Sequence, residues 1–137
     1  MISPECASID FSAQFGGRDA AAAVLSHFKA LKVAAKNVCI EKFPFPKLVF
    51  ILRVDGEINE YNLSGPGNPE VDSEGAYLSI DLGITRMDRD DLMNRIATSI
   101  LDSFPIILAT LENRGITDFD PVSLKNSLGE LCRQYMK

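Results

Sequence analysis

The chain has 137 residues, with 14 Lys and Arg against 19 Asp and Glu and a net charge of -5. That length suits one domain whose core closes without staples, and the acidic balance argues against a nucleic-acid binder. A single histidine, His27, and three cysteines without a C-x-x-C pair give no zinc ligand set and remove most His-based catalysis.

Along the chain, Cys6 to Ser12 alternates, with Ala7, Ile9 and Phe11 on one side and Ser8 and Asp10 on the other, which predicts a short half-buried strand. Gly16-Gly17 precedes a helix predicted from Arg18 to Lys36. Val24, Phe28, Leu31 and Ala35 form its inner face, and Lys29, Lys32 and Lys36 share another. Val38 to Phe43 reads as a strand ended by Phe43-Pro44-Phe45-Pro46. Lys47 to Val54 contains Leu48-Val49-Phe50-Ile51-Leu52, apolar on both faces, and so belongs in the middle of the sheet.

Asp55-Gly56 is a favoured two-residue hairpin pair, and it predicts a return strand from Glu57 to Leu63 that pairs Phe50 with Tyr61 and Leu48 with Leu63. The polar character of that return strand suits a sheet edge. Gly65 to Gly75, with two prolines, three glycines and three acids, reads as a loop. Ala76 to Ile84 then alternates, with Leu78, Ile80 and Leu82 facing in and Tyr77, Ser79 and Asp81 facing out.

Two helices follow. The first starts near Asp88, with Asp88, Asp90 and Asp91 as capping carboxylates, and carries the stripe Leu92, Ile96, Ile100, Phe104, Ile107, Leu108 and Leu111. Pro105 predicts a kink within it, and Arg114-Gly115 ends it. The last has Asp120 at its N-cap, Pro121 at the first helical position, and Leu124, Leu128, Leu131, Cys132 and Tyr135 on its inner face. The expectation is one α+β domain over residues 1–137: an antiparallel sheet of about five strands with three helices, in the order β-α-β-β-β-β-α-α.

Met1 to Cys6 holds no Lys or Arg and no apolar run follows, so no secretory signal is expected. The longest apolar stretch, Phe104 to Leu111, is far shorter than the roughly 20 residues of a membrane helix. Cys6, Cys39 and Cys132 read as free thiols of a reducing compartment, and the expected location is cytoplasmic.

Candidate chemistry is sparse. His27 borders an apolar helix face without a visible nucleophile, and Asp88, Asp90 and Asp91 fit capping as well as Mg²⁺. The lysines from Lys29 to Lys47 fit a solvated flank as well as a phosphate site, and Tyr77, Ser79 and Asp81 fit simple alternation. No phosphate-cradle or nucleophile-elbow motif occurs, so neither catalysis nor a cofactor or metal is expected.

Charge placement says more. Residues 54–91 hold ten acids against Arg86 and Arg89, a net of -8, which leaves +3 on the rest from twelve basic and nine acidic residues. Asp55, Glu57, Glu60, Glu70, Asp72 and Glu74 are the candidate partner-binding residues, because an acidic patch steers and orients a basic protein partner. Solubility and edge protection would use the same residues.

The stretch from Phe45 to Gly56, followed by Gly75 to Ile84 and a long helix, resembles bacterial polymorphic-toxin immunity proteins, including partners of contact-dependent inhibition toxins. The likeness spans residues 45–112. It implies a small cytosolic α+β protein that binds and neutralises one toxin domain, often a nuclease, and the acidic balance and short apolar runs leave neither nucleic acid nor a membrane as an expected partner. A second likeness is to the type III secretion chaperone fold. It implies a homodimer with apolar client grooves, for which the Phe43-Pro44-Phe45 turn and the outer face of Val49 and Ile51 are candidates.

Overall fold

The computed structural model describes residues 6–15, 18–54, 65–84 and 92–137. Its elements follow the expected order: β1 (Cys6–Phe15), α1 (Arg18–Ala35), β2 (Cys39–Glu41), β3 (Lys47–Val54), β4 (Gly65–Val71), β5 (Tyr77–Ile84), α2 (Leu92–Asn113) and α3 (Pro121–Tyr135). The class is α+β, built on one five-stranded sheet ordered β2-β1-β3-β5-β4.

The sheet is mixed, not antiparallel. β3 is central and runs parallel to β1 on one side and to β5 on the other, while β2 and β4 are antiparallel edges. A parallel pair needs a crossover, and α1 with β2 supplies the one between β1 and β3. The hairpin reading fails on this point. Both edges of β3 are occupied from Lys47 to Val54, so no edge is left for pairs at Phe50 or Leu48 with a hairpin return strand. Asp55-Gly56 and the strand expected at Glu57–Leu63 lie outside the described residues.

The fourth strand lies instead within the stretch expected to be a loop, at Gly65–Val71. Pro66 and Pro69 argued against a strand, yet an edge strand tolerates residues that donate no ladder hydrogen bond. The register shifts between Gly67 and Glu70, so Asn68 and Pro69 together oppose one residue of β5. Asn68 takes a positive φ of 50°, a conformation that Asn adopts more readily than most side chains. β2 is shorter than the expected Val38–Phe43 strand, and Lys42 directly after it also has a positive φ, 54°.

Alternation along β1, β3 and β5 puts one apolar stripe on one face of the sheet. Ala7, Ile9 and Phe11 are buried, and Leu48, Phe50, Leu52, Leu78, Ile80 and Leu82 have no exposed surface. The Phe11 and Phe50 rings stack with centroids 5.5 Å apart. Leu31 of α1, Ile96 and Ile100 of α2, and Leu124 and Leu131 of α3 join the same cluster, so the three helices cover that face.

α2 is long and apolar enough by length and composition to cross a membrane, but here its stripe from Leu92 to Leu111 is part of this core. It continues through the exposed Pro105 as one helix. It stops at Gly115, whose φ of 72° lets the Gly115 and Ile116 amides donate back to the Glu112 and Leu111 carbonyls. The capping role expected of Asp88, Asp90 and Asp91 falls outside the described residues.

α3 starts as its sequence predicts. The Asp120 carboxylate accepts from the Val122 and Ser123 amides at 3.0 and 3.2 Å, with Pro121 at the first position. The same end of the helix seals the outer edge of β2. Ser123 Oγ accepts the Glu41 amide at 3.0 Å, Ser127 Oγ donates to the Cys39 carbonyl at 3.1 Å, and the Asp120 amide donates to the Lys42 carbonyl at 3.2 Å.

The cysteines depart from expectation. Cys6 on β1 and Cys39 on β2 are joined in a disulfide, with Cα atoms 5.6 Å apart, and among the described residues only Cys132 is a free thiol. The pairing was hidden because it depends on β2 folding back beside β1, a contact between segments separated by the whole of α1. It also removes free thiols as a ground for a reducing compartment.

Candidate partner-binding face

The face of the sheet opposite the helices collects the polar half of every alternating strand. Residues directly opposed on neighbouring strands share a face, so the registers define rows across it. One row runs Asp10, Val49, Ser79, Glu70, and the next runs Ser12, Ile51, Asp81, Gly67. A third runs Ser8, Lys47, Tyr77, and the Asp72 amide extends it by donating to the Tyr77 carbonyl at 3.0 Å.

Four carboxylates are thereby brought onto one side: Asp10, Glu70, Asp72 and Asp81. Among the described side chains of these rows, Lys47 is the only cation. Adjacent strands are about 4.8 Å apart, so Asp10 and Glu70, three strand spacings from each other, are separated by about 14 Å. Glu70 and Asp72, two residues apart along one edge, lie within a Debye length of about 8 Å at physiological salt and their fields add, whereas Asp10, about 14 Å from Glu70, is largely screened from it.

Each acid is held differently. Glu70 is exposed on the edge strand, and Asp10 is half-buried with Oδ1 accepting the Phe11 amide at 2.8 Å. Asp72 Oδ2 accepts the Ala76 amide at 3.1 Å, and the Asp72 carbonyl accepts the Gly75 amide at 2.9 Å, so this residue shapes the β4–β5 turn. Asp81 was expected to face outward. It is on that face, but it is only 7% exposed and accepts from Asn68 Nδ2 at 3.2 Å. Ser79 is likewise buried, while Tyr77 remains exposed. In register, Ser79 and Asp81 sit between Val49 and Ile51 of β3 and the bulged β4.

Of the six expected site residues, Glu70 and Asp72 are on this face and Glu74 is exposed in the turn beside it. Asp55, Glu57 and Glu60 lie outside the described residues. Asp10 was missed as a member. Alternation already put it on the polar side of β1, but only the strand order brings β1 into the same surface as β4 and β5.

Other clusters resolve into structure. His27 Nδ1 and Tyr135 Oη are hydrogen bonded at 2.8 Å, and burial, with a smaller contribution from Cys132, pushes the Tyr135 hydroxyl above its ordinary range. Burial also pushes the Cys132 thiol up to about 11, and it donates to the Ala97 carbonyl at 3.5 Å. A thiol so placed keeps its proton at neutral pH and is no nucleophile. A shallow polar groove of about 490 Å³ lies between β2 and α3, lined in part by Asn37, Glu41, Ser123 and Asn126. Ser123 and Ser127 are already committed to β2 there. Among the described residues no group of three His, Cys, Asp or Glu side chains is placed to hold a metal ion. The Phe43-Pro44-Phe45 turn is folded inward: Phe45 is buried and Phe43 packs edge-on against it, ring centroids 6.0 Å apart.

No protein-family model, curated protein or solved structure matches this chain.

Proposed function

We propose that the chain is a protein-binding module of the immunity type, which docks a basic surface of a toxin domain onto the sheet face that its helices leave uncovered. The observation that carries this reading is the convergence of Asp10, Glu70 and Asp72 from two strands and a turn onto that face, with Glu74 exposed beside it. A toxin that cleaves nucleic acid presents a basic groove to phosphates, and carboxylates on a rigid sheet compete for the same groove. Rim charges of this kind mainly set the encounter rate and its salt dependence, while charges desolvated in the contact set the dissociation rate.

The test asks first whether a large secreted protein is encoded beside this chain, and then measures binding to that protein's C-terminal domain across a salt series. Replacing Asp10, Glu70 and Glu74 together with Lys should weaken binding by at least about tenfold and flatten its salt dependence. These three are chosen because, among the described residues, none of their side chains bonds to another strand. Unchanged affinity and salt slope would reject the face as the docking surface.

A further inference from the structure

Cys6 and Cys39 form a second chemical centre, at the β2 side of the same sheet face. Cys6 is opposite Glu41 and Ser8 is opposite Cys39, so the two cysteines lie diagonally on one face of the β1–β2 ladder. Their Cα separation of 5.6 Å is that of an ordinary disulfide. Cys39 is exposed and Cys6 half-buried, so a thiolate from solution can reach the bond. Cys132 is 6% exposed within the helical layer, facing Ala97 of α2.

The surroundings keep the pair together whether or not the bond is closed. β1 is fixed to β3 from Ser8 to Phe15, and β2 is held from its other side by Ser123, Ser127 and Asp120 of the α3 end. Opening the bond therefore leaves two thiols side by side on a fixed ladder, where closing again is an intramolecular step favoured by a high effective concentration.

We propose that Cys6 and Cys39 are a reversible thiol–disulfide exchange site for low-molecular-weight thiols and disulfides of the glutathione type. The site opens and closes within the folded protein, and Cys132 takes no part. In reduction, a glutathione thiolate attacks one sulfur of the pair and the other leaves as a thiolate that takes up a proton. A second glutathione then displaces the first, freeing the remaining cysteine thiol and releasing oxidised glutathione. Two electrons pass from two glutathione thiols to the protein disulfide, and their two protons end on Cys6 and Cys39. Oxidation by oxidised glutathione runs the same steps backward.

The experiment uses the full chain in reduced or oxidised glutathione without denaturant, followed by trapping with a maleimide and peptide mass mapping. Reduced glutathione should open both Cys6 and Cys39 to labelling at least about tenfold faster than Cys132, with an unchanged circular dichroism spectrum. Oxidised glutathione should then remove both labelling sites and lower the intact mass by two hydrogens. A Cys6→Ser variant lacks the resolving thiol and should hold one glutathione on Cys39. Labelling of Cys6 and Cys39 only after denaturation would overturn the proposal. So would Cys132 labelling as fast as the pair, loss of the folded spectrum on reduction, or wild-type protein that accumulates glutathione adducts instead of closing.

Discussion

At the residue scale, Asn68 combines two demands that one side chain rarely meets. Its backbone has a φ of 50° at the register shift of β4, and its amide donates to the buried carboxylate of Asp81 at 3.2 Å. Asn68→Gly keeps the backbone geometry and loses only the hydrogen bond, whereas Asn68→Val loses both. Urea unfolding should show about 1 kcal/mol lost for Gly and about 2–3 kcal/mol for Val; equal losses would mean that the backbone conformation contributes nothing. Cys132 makes a prediction about pH. Its thiol is raised from an ordinary 9.0 to about 11 in the fold, so between those values the unfolded chain has released a proton that the folded one retains. Stability is then full below pH 9.0 and falls as the pH rises toward 11, with the Tyr135 hydroxyl acting in the same direction. Thermal midpoints measured across that range should decline less steeply in Cys132→Ala than in the wild type, once both are referred to their own neutral values.

At the element scale, what could be read from the sequence was what depends on short-range pattern. The period of two along Ala7, Ile9 and Phe11 and along Leu78, Ile80 and Leu82, the helical stripe from Leu92 to Leu111, and the Asp120-Pro121 helix start all hold in the fold. What was not legible is pairing. Asp55-Gly56 is a sound local turn signal, but whether β3 has a free edge depends on β1 and β5, which are remote in sequence. Gly65 to Val71 looks like a loop because proline weakens a central strand, a penalty that an edge position removes. α3 also shows an element serving as another's cover. Ser123→Ala with Ser127→Ala takes away the side-chain partners of the Glu41 amide and the Cys39 carbonyl. Amide exchange at Glu41 should then accelerate, with about 1–2 kcal/mol lost overall. Exchange at Glu41 unchanged from wild type would show that β2 is held by β1 and the disulfide alone.

At the scale of the whole molecule, charge is arranged in opposite senses on the two sides of the sheet. The face opposite the helices carries Asp10, Glu70, Asp72 and the buried Asp81, and on the helical side Lys29, Lys32 and Lys36 are exposed on α1, with Lys32 Nζ 5.4 Å from the centre of the Phe28 ring. The sequence discloses this asymmetry only as a one-dimensional imbalance, -8 between residues 54 and 91 against +3 elsewhere. Folding redraws its boundary, because β1 contributes Asp10 from outside the acidic segment and Asp72 spends one carboxylate oxygen on its own turn. The reversal at Asp10, Glu70 and Glu74 therefore tests a surface and not a segment, and Asp10 is the member that distinguishes the two.

The two ends of the sheet constrain how any partner is engaged. β2 has its outer edge closed by the α3 serines, and β4 carries Pro66, Pro69 and a break in register along the other. Neither border offers the uninterrupted row of amides and carbonyls that β-augmentation requires. Recognition by extending the sheet is thus disfavoured at both ends. A partner must read side chains presented broadside, so affinity will track the chemistry of individual residues more than the conformation of the partner's backbone.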